Sequence, residues 1–239
     1  KNYEQYLKCL QNILRIHAER DEQEQITVLK ENLHDLVIRE GIELNSKTYY
    51  TLGVCANYKG QVESSLDYFR RALELGLKAN NQEDMCYAIL GISICYRVQK
   101  KYEEALKEIY NLNIFLQLID IPELKVSSAI SNAMILIDLK KYEQALDILW
   151  QAYEEIKNTK QLSASISVLA NIGMVLFDMS QKDMAKIYLN LAKKAIDPQN
   201  NKIVLRKVDS YLRQLSVSDQ NEVDLVFDLE KHSVVEKTM

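Results

Sequence analysis

Small residues recur every 40 positions through the middle of the sequence and restrict the folds that it can adopt. The segments 101–106 and 141–146 read KYEEAL and KYEQAL, and looser copies flank them. Each small residue is followed by a bulky residue after four positions and by Ala or Leu after seven. These spacings place all three residues on one helical face. The three series are Ser65, Ala105, Ala145 and Ala185, then Phe69, Ile109, Leu149 and Leu189, then Ala72, Leu112, Ala152 and Ala192. A fixed period of this size indicates a solenoid of stacked repeats.

A further series of small residues lies twelve positions before the first one, at Gly53, Ser93, Ala133 and Gly173. Glycine within a helix costs about 1 kcal/mol relative to alanine. Two glycines at one register therefore predict that the two helices of each repeat approach closely. The whole chain has only six glycines and two prolines, which favours helices joined by short loops.

These spacings predict an all-α fold, a right-handed superhelical solenoid of antiparallel helix pairs. We expect an atypical N-terminal pair in 1–44 that caps the core, since terminal repeats are commonly atypical. Four regular pairs follow in 45–197, then a C-terminal capping helix in 198–216 and an extended or hairpin tail in 217–239. The predicted helix pairs cover 3–40, 45–78, 81–119, 122–158 and 161–196, and the last helix covers 200–216.

The first regular unit resembles the tetratricopeptide repeat. The matching residues are Leu52, Gly53, Gly60, Ser65, Leu66, Phe69, Ala72 and Leu73. The next three units match less completely, so the resemblance covers about residues 45–197. The usual period of that family is about 34 residues, so each helix here should be longer by most of a turn. Extended repeats of this kind are similar to those of bacterial regulatory proteins of the family, and the resemblance implies protein binding.

The C-terminal tail changes character after the last predicted helix. Residues 223–229 and 233–235 are rich in apolar and β-branched side chains, which is typical of two short strands. The stretch Asp224–Val235 resembles the opening strands of winged-helix output domains of the response-regulator type. The sequence begins with Lys1 rather than Met, so we expect it to be part of a longer protein.

The first helix of each pair lines the concave surface of such a solenoid, and that surface usually binds the ligand. Projecting the repeat register onto these helices predicts a groove with apolar, aromatic, amide and charged side chains, which suits a peptide or helix of another protein. The candidate partner-binding residues are Tyr50, Asn57, Tyr58, Tyr87, Ile94, Arg97, Met134, Asp138, Asn171, Met174, Phe177 and Asp178. Each of them has an alternative role in scaffold packing or internal hydrogen bonding.

The sequence lacks the motifs of catalysis, metal binding and cofactor binding. The histidines at 17, 34 and 232 are far apart, and the cysteines at 9, 55, 86 and 95 match no zinc or redox spacing. The cysteines are expected to be small buried hydrophobic residues. A net charge of −4 and a pI near 5.6 give no general attraction to nucleic acid or anionic membranes. We therefore expect no enzyme activity, no cofactor, no direct nucleic-acid or membrane binding, and a cytoplasmic location.

The leading functional hypothesis is a protein- or peptide-binding repeat module that forms the sensory or adaptor part of a larger bacterial regulator, such as a transcriptional one. The alternative is a structural scaffold or homo-oligomerisation domain, such as a homodimer joined through its end helices. The outer face of the last helix distinguishes them, since an apolar exposed face there would favour self-association.

Overall fold

The computed structural model describes residues 2–157, 162–198 and 201–218, and these residues form helices without any strand. The helices are α1 Tyr3–Glu19, α2 Gln23–Glu40, α3 Ser46–Tyr58, α4 Val62–Lys78, α5 Gln82–Val98, α6 Tyr102–Leu118, α7 Pro122–Asp138, α8 Tyr142–Ile156, α9 Leu162–Asp178, α10 Lys182–Ala195 and α11 Lys202–Ser218. The predicted all-α solenoid of antiparallel pairs is confirmed. The last helix runs two residues further than predicted, and the predicted strands of the tail lie outside the described residues.

The repeat register forms the core between the helices of each pair. Ser65 and its three alanine counterparts are fully buried, and the bulky residues four positions later are almost fully buried. The hydroxyl of Ser65 donates to the carbonyl oxygen of Gly53 at 2.8 Å, and that of Ser93 donates to the carbonyl oxygen of Ala105 at 3.1 Å. The predicted close approach of paired helices therefore occurs at the predicted positions.

The ring of Phe69 on α4 is inserted between two glycines of neighbouring inner helices. A Cβ atom on Gly53 of α3 would lie 2.6 Å from a ring carbon, and so would one on Gly91 of α5. The sequence register explains Gly53 but not Gly91, which lies two positions away from Ser93. We call this arrangement of Gly53, Phe69 and Gly91 the Phe69 wedge.

Each regular pair turns through one residue in the left-handed conformation. The four turn residues have φ values of 72°, 61°, 59° and 61° and are Gly60, Lys100, Lys140 and Ser180. The next N–H donates to the carbonyl oxygen five residues earlier, as from Lys101 to Tyr96 at 2.9 Å. This is the Schellman arrangement that satisfies carbonyl groups at a helix end.

The N-terminal pair packs differently from the regular pairs. Helix α1 packs directly on α3, whereas α2 buries only Ile26 and Leu33. Val28 and Ile38 of α2 are exposed, and so is Cys9 of α1, while the other three cysteines are buried. The prediction that all four cysteines are buried was therefore wrong for Cys9.

The two ends of the described solenoid meet. Arg206 of α11 forms an ion pair with Asp21, in the turn between α1 and α2. The hydrogen bond from Gln23 lowers the pKa of Asp21, and the contact with Arg206 lowers it further. Helix α11 is also held on α10 by an ion pair of 2.8 Å between Lys193 and Asp209. Helix α11 therefore packs on α10 and also contacts the other end of the chain through one ion pair; we call the Asp21–Arg206 pair the end-to-end clasp.

Candidate functional site

The candidate site is the groove on the inner layer of the solenoid. The first helices of the regular pairs pack side by side, α3 on α5, α5 on α7 and α7 on α9. The second helices pack on their outer side. The inner layer therefore brings side chains from distant repeats onto one continuous surface, as the sequence register predicts.

The tyrosine cluster at the α3–α5 part of the groove consists of the touching rings of Tyr50 and Tyr87, with Tyr58 about two helical turns further along α3. The rings of Tyr50 and Tyr87 lie 5.3 Å apart between centroids, and the ring of Tyr50 lies 5.5 Å from that of Phe69. Burial raises the pKa of Tyr50, and the neighbouring Tyr87 and Tyr58 raise it further. Tyr58 is 43% exposed. The cluster offers uncharged hydroxyl groups and aromatic faces, which suit contact with a peptide that is partly apolar.

A charged cluster lies at the carboxyl ends of α5, α7 and α9. Arg97 and Asp138 form an ion pair of 3.0 Å between Nη1 and Oδ2. Burial lowers the pKa of Lys207 on α11, and the positive charge of Arg97 nearby lowers it further. Burial also raises the pKa of Asp178. Both signs of charge are therefore present; the side chains of Arg97 and Asp138 are 23% and 30% exposed, and Asp178 and Lys207 are exposed residues.

An aromatic contact joins the charged cluster to the last helix. The ring centroids of Phe177 on α9 and Tyr211 on α11 lie 5.1 Å apart, and the rings are nearly perpendicular at 88°. Burial raises the pKa of Tyr211, and the carboxylate of Asp178 raises it further. Helix α11 thus forms part of the groove wall at this end.

The predicted site residues differ in how much surface they offer. Tyr58, Asp138 and Asp178 are exposed, whereas Met174 is only 8% exposed and belongs to the core formed by α7 to α11. The side-chain amide of Asn171 donates to the carbonyl oxygen of Ser167 at 2.8 Å, within its own helix. The half-buried members are Tyr50, Asn57, Tyr87, Ile94, Arg97, Met134, Asn171 and Phe177.

Three groove residues were not predicted from the sequence. Arg15 of α1 lies close enough to influence the pKa of Tyr50 and Tyr87. Lys207 and Tyr211 come from α11. The N-terminal pair lacks the repeat register, so no projection could place Arg15. The apolar stripe of α11 indicated only a capping role, although the spacing of that stripe could have placed Tyr211 beside the groove.

Stacked helix pairs with a polar and aromatic inner surface define a helical-repeat interaction solenoid. The tetratricopeptide repeat model matches residues 46–75 and 166–198. The chain therefore carries tetratricopeptide repeats, and its fold is that of a tetratricopeptide solenoid. Such repeats are protein-interaction modules, generally without catalytic activity.

Solved structures support the same fold. The apo form of RapI superposes with a TM-score of 0.61 at 15% identity, covering 97% of this chain and 81% of RapI. PilF of Pseudomonas aeruginosa superposes with a TM-score of 0.55 at 16% identity, covering 93% of this chain and 96% of PilF. BtubC (BKLC) from P. vanneervenii superposes with a TM-score of 0.53 at 13% identity, covering 93% of this chain and 98% of BtubC. At these identities the likeness concerns the fold. No curated protein sequence matches the chain.

Among the described residues, no group of three or more histidine, cysteine, aspartate or glutamate side chains is placed to hold a metal ion. Within the same ranges, no helix has the length and apolar character needed to cross a membrane.

Proposed function

We propose that the concave groove binds a peptide or helical segment of another protein, and that the chain is the sensory or adaptor part of a larger regulator in the reducing cytoplasm. The proposal needs no cofactor and no catalytic group. The observation that carries it is the joint placement of the tyrosine cluster and the charged cluster on the inner helices. Both clusters retain accessible polar atoms although they lie beside the core.

The chemistry of the two clusters indicates what kind of segment would fit. The faces and hydroxyl groups of Tyr58 and Tyr87 can contact an apolar side chain and donate to its backbone carbonyl groups. The amide of Asn57 can bond both the N–H and the C=O of an extended peptide. Arg97 and Asp138 can exchange their mutual ion pair for bonds to a ligand. A mixed segment, apolar at one end and polar at the other, therefore suits the groove.

The test selects ligands from a random peptide library displayed on phage, using the whole chain as bait. Selected peptides are then titrated against Asn57→Ala, Tyr58→Ala and Phe177→Ala. Residues at the centre of a binding site typically cost about tenfold or more in affinity when truncated to alanine. The matched controls are Gln144→Ala and Tyr110→Ala, which remove an exposed amide and an exposed ring from the outer helices α8 and α6.

The expected result is loss of affinity in the groove variants, with both controls binding as wild type. The melting temperature should stay unchanged in Asn57→Ala and Tyr58→Ala and should fall modestly in Phe177→Ala, because its ring packs on Tyr211. If selected peptides bind all five variants equally well, the groove is not the binding surface. If the groove variants unfold instead, these side chains belong to the scaffold and the proposal fails.

The alternative role is self-association through the end helices; the last helix does not offer the apolar face that would favour it, whereas Val28 and Ile38 of α2, at the other end, are exposed. The exposed side chains of α11 are polar or charged: Arg206, Lys207, Ser210, Arg213, Gln214 and Ser216. An exposed apolar face, which would favour that role, is not found on the described side chains of α11.

A further inference from the structure

Three large apolar side chains form an exposed stripe on the outer helix α6. Tyr110 is 67% exposed, Ile114 is 44% exposed and Leu118 is 73% exposed. Their spacing of four residues aligns them along one ridge of the helix. The ridge spans about 12 Å, since eight residues each rise about 1.5 Å. We call these three residues the α6 stripe.

The repeat itself shows what the scaffold requires at these positions. Forty residues earlier, on α4, the same register holds Arg70, Glu74 and Lys78, all of them exposed. Glu74 there forms an ion pair of 2.9 Å with Lys78. An outer helix in this solenoid therefore tolerates charged side chains at this register. The apolar residues on α6 are not required by helix packing, and contiguous exposed apolar surface marks an interaction site.

The surroundings of the α6 stripe identify the partner that fits it. Residues 109–119 contain no Asp, Glu, Lys or Arg, whereas the equivalent stretch 69–79 of α4 contains Arg70, Arg71, Glu74 and Lys78. The side chains that flank the middle of the stripe are neutral amides, Asn113 and Gln117, and the nearest exposed charged side chains lie at its ends, Lys107 and Asp120. A partner chosen by charge would find nothing to complement between these ends. A second copy of the chain carries the same net charge of −4, and two copies approach with least repulsion where neither is charged.

The stripe is also compatible with a two-fold axis. Tyr110 and Leu118 lie four residues on either side of Ile114, so an axis through Ile114 places each Tyr110 against the partner copy's residue 118. A two-fold contact uses the same patch on both copies. Ridges of four-residue spacing that interdigitate cross at about −50°. We propose that this chain self-associates in solution through the α6 stripe, in a crossed two-fold helix pair.

The size of the stripe sets the strength of the dimer. Three side chains of this exposure offer a few hundred Å² per copy, below the ~800 Å² per partner that stable complexes bury. The dimer is therefore weak and forms only at high micromolar concentration. The contact lies on the outer layer and leaves the groove open, so this inference does not depend on the proposed peptide binding.

The test is sedimentation velocity of the whole chain from low to high micromolar concentration. The average mass of the wild type should rise from 27.7 kDa toward twice that value. The triple variant Tyr110→Arg, Ile114→Glu, Leu118→Lys copies the residues of α4 and should stay at 27.7 kDa with an unchanged melting temperature. The control Leu77→Lys changes an exposed leucine at the end of α4 and should dimerise like the wild type.

Disulfide trapping tests the geometry and does not depend on the triple variant folding. In a Cys9→Ser background, Ile114→Cys should cross-link to itself, whereas Tyr110→Cys should cross-link efficiently only when mixed with Leu118→Cys. A wild type that stays monomeric at the highest concentration overturns the proposal and leaves the stripe to a different protein. A triple variant that associates like the wild type, or Tyr110→Cys cross-linking to itself as fast as to its mixed partner, also overturns it.

Discussion

Replacing Gly53 with alanine tests the Phe69 wedge, because two effects of known size oppose each other there. Alanine stabilises a helix interior by about 1 kcal/mol relative to glycine. The new Cβ atom would lie 2.6 Å from Cε1 of Phe69, whereas carbon atoms prefer about 3.5–4.0 Å. The ring must therefore move by roughly 1 Å, or the helices must separate.

The ring has no free direction in which to move. Gly91 also lies against the ring, and a Cβ atom added there would again be 2.6 Å from a ring carbon. The ring of Tyr50 packs nearby, with 5.5 Å between the two ring centroids. Overpacking of a tight core costs about 1–3 kcal/mol, and the upper part of that range applies to a side chain held from both sides. After the gain in helix propensity, we expect Gly53→Ala to destabilise the fold by about 1–2 kcal/mol.

Gly76→Ala is the matched control. Its Cβ atom would lie 3.1 Å from Cγ of the flexible Met85 side chain and 3.3 Å from the backbone nitrogen of Met85, so a shift of a few tenths of an ångström relieves both contacts. The helix propensity should then dominate, and stability should rise by about 0.5 kcal/mol. The same substitution is therefore expected to have opposite signs at two buried helical glycines.

The assay is urea unfolding followed by circular dichroism, with stability compared at constant m-value. A second variant, Gly53→Ala with Phe69→Leu, copies the Ala133–Leu149 pair of a later repeat. Its loss should be smaller than the sum of the single losses by about 1 kcal/mol. A stabilised Gly53→Ala, or a double variant whose losses simply add, would refute the wedge.

Three further predictions concern a helix cap, a buried carboxylate and the end-to-end clasp. Asn45 accepts the N–H of Thr48 at 2.9 Å, so Asn45→Ala should cost about 1 kcal/mol in urea unfolding; an unchanged midpoint would contradict this. Burial is the main cause that raises the pKa of Asp84, so ionisation opposes folding above that pKa. Asp84→Asn should therefore stabilise the fold at neutral pH, with the gain disappearing as pH falls toward 3.8, and a gain independent of pH would exclude this cause. Arg206→Ala should increase the radius of gyration in X-ray scattering, as should high salt in the wild type, whereas equal radii at all salt concentrations would show that the clasp does not hold the ends together.

The sequence predicted the regular pairs because their geometry repeats. Ala105 and Ala145 lie in the same surroundings, so one register places every later helix and its buried face. Gly91 escaped prediction because its contact with Phe69 crosses from one repeat to the next and has no counterpart in the other units. Local spacing carries no information of that kind.

The repeat register placed the candidate residues of the inner helices, but the groove residues of α1 and α11 were missed because these helices lack that register. Tyr50 and Tyr87 meet as the projection implies, and Arg97 pairs with Asp138 from the neighbouring repeat. The position of Lys207 relative to the groove depends on the curvature of the superhelix up to its last helix. That curvature is the sum of small rotations at every helix interface, and no sequence motif predicts it.

A solenoid of this kind ordinarily passes information only from one unit to the next, so its extremities behave independently. The contact between Asp21 and Arg206 joins positions 185 residues apart, so a change in the curvature of the solenoid changes the distance between these two side chains. An ion pair with a largely exposed arginine contributes at most about 1 kcal/mol. Small rotations at the interfaces between repeats are therefore enough to open or close it.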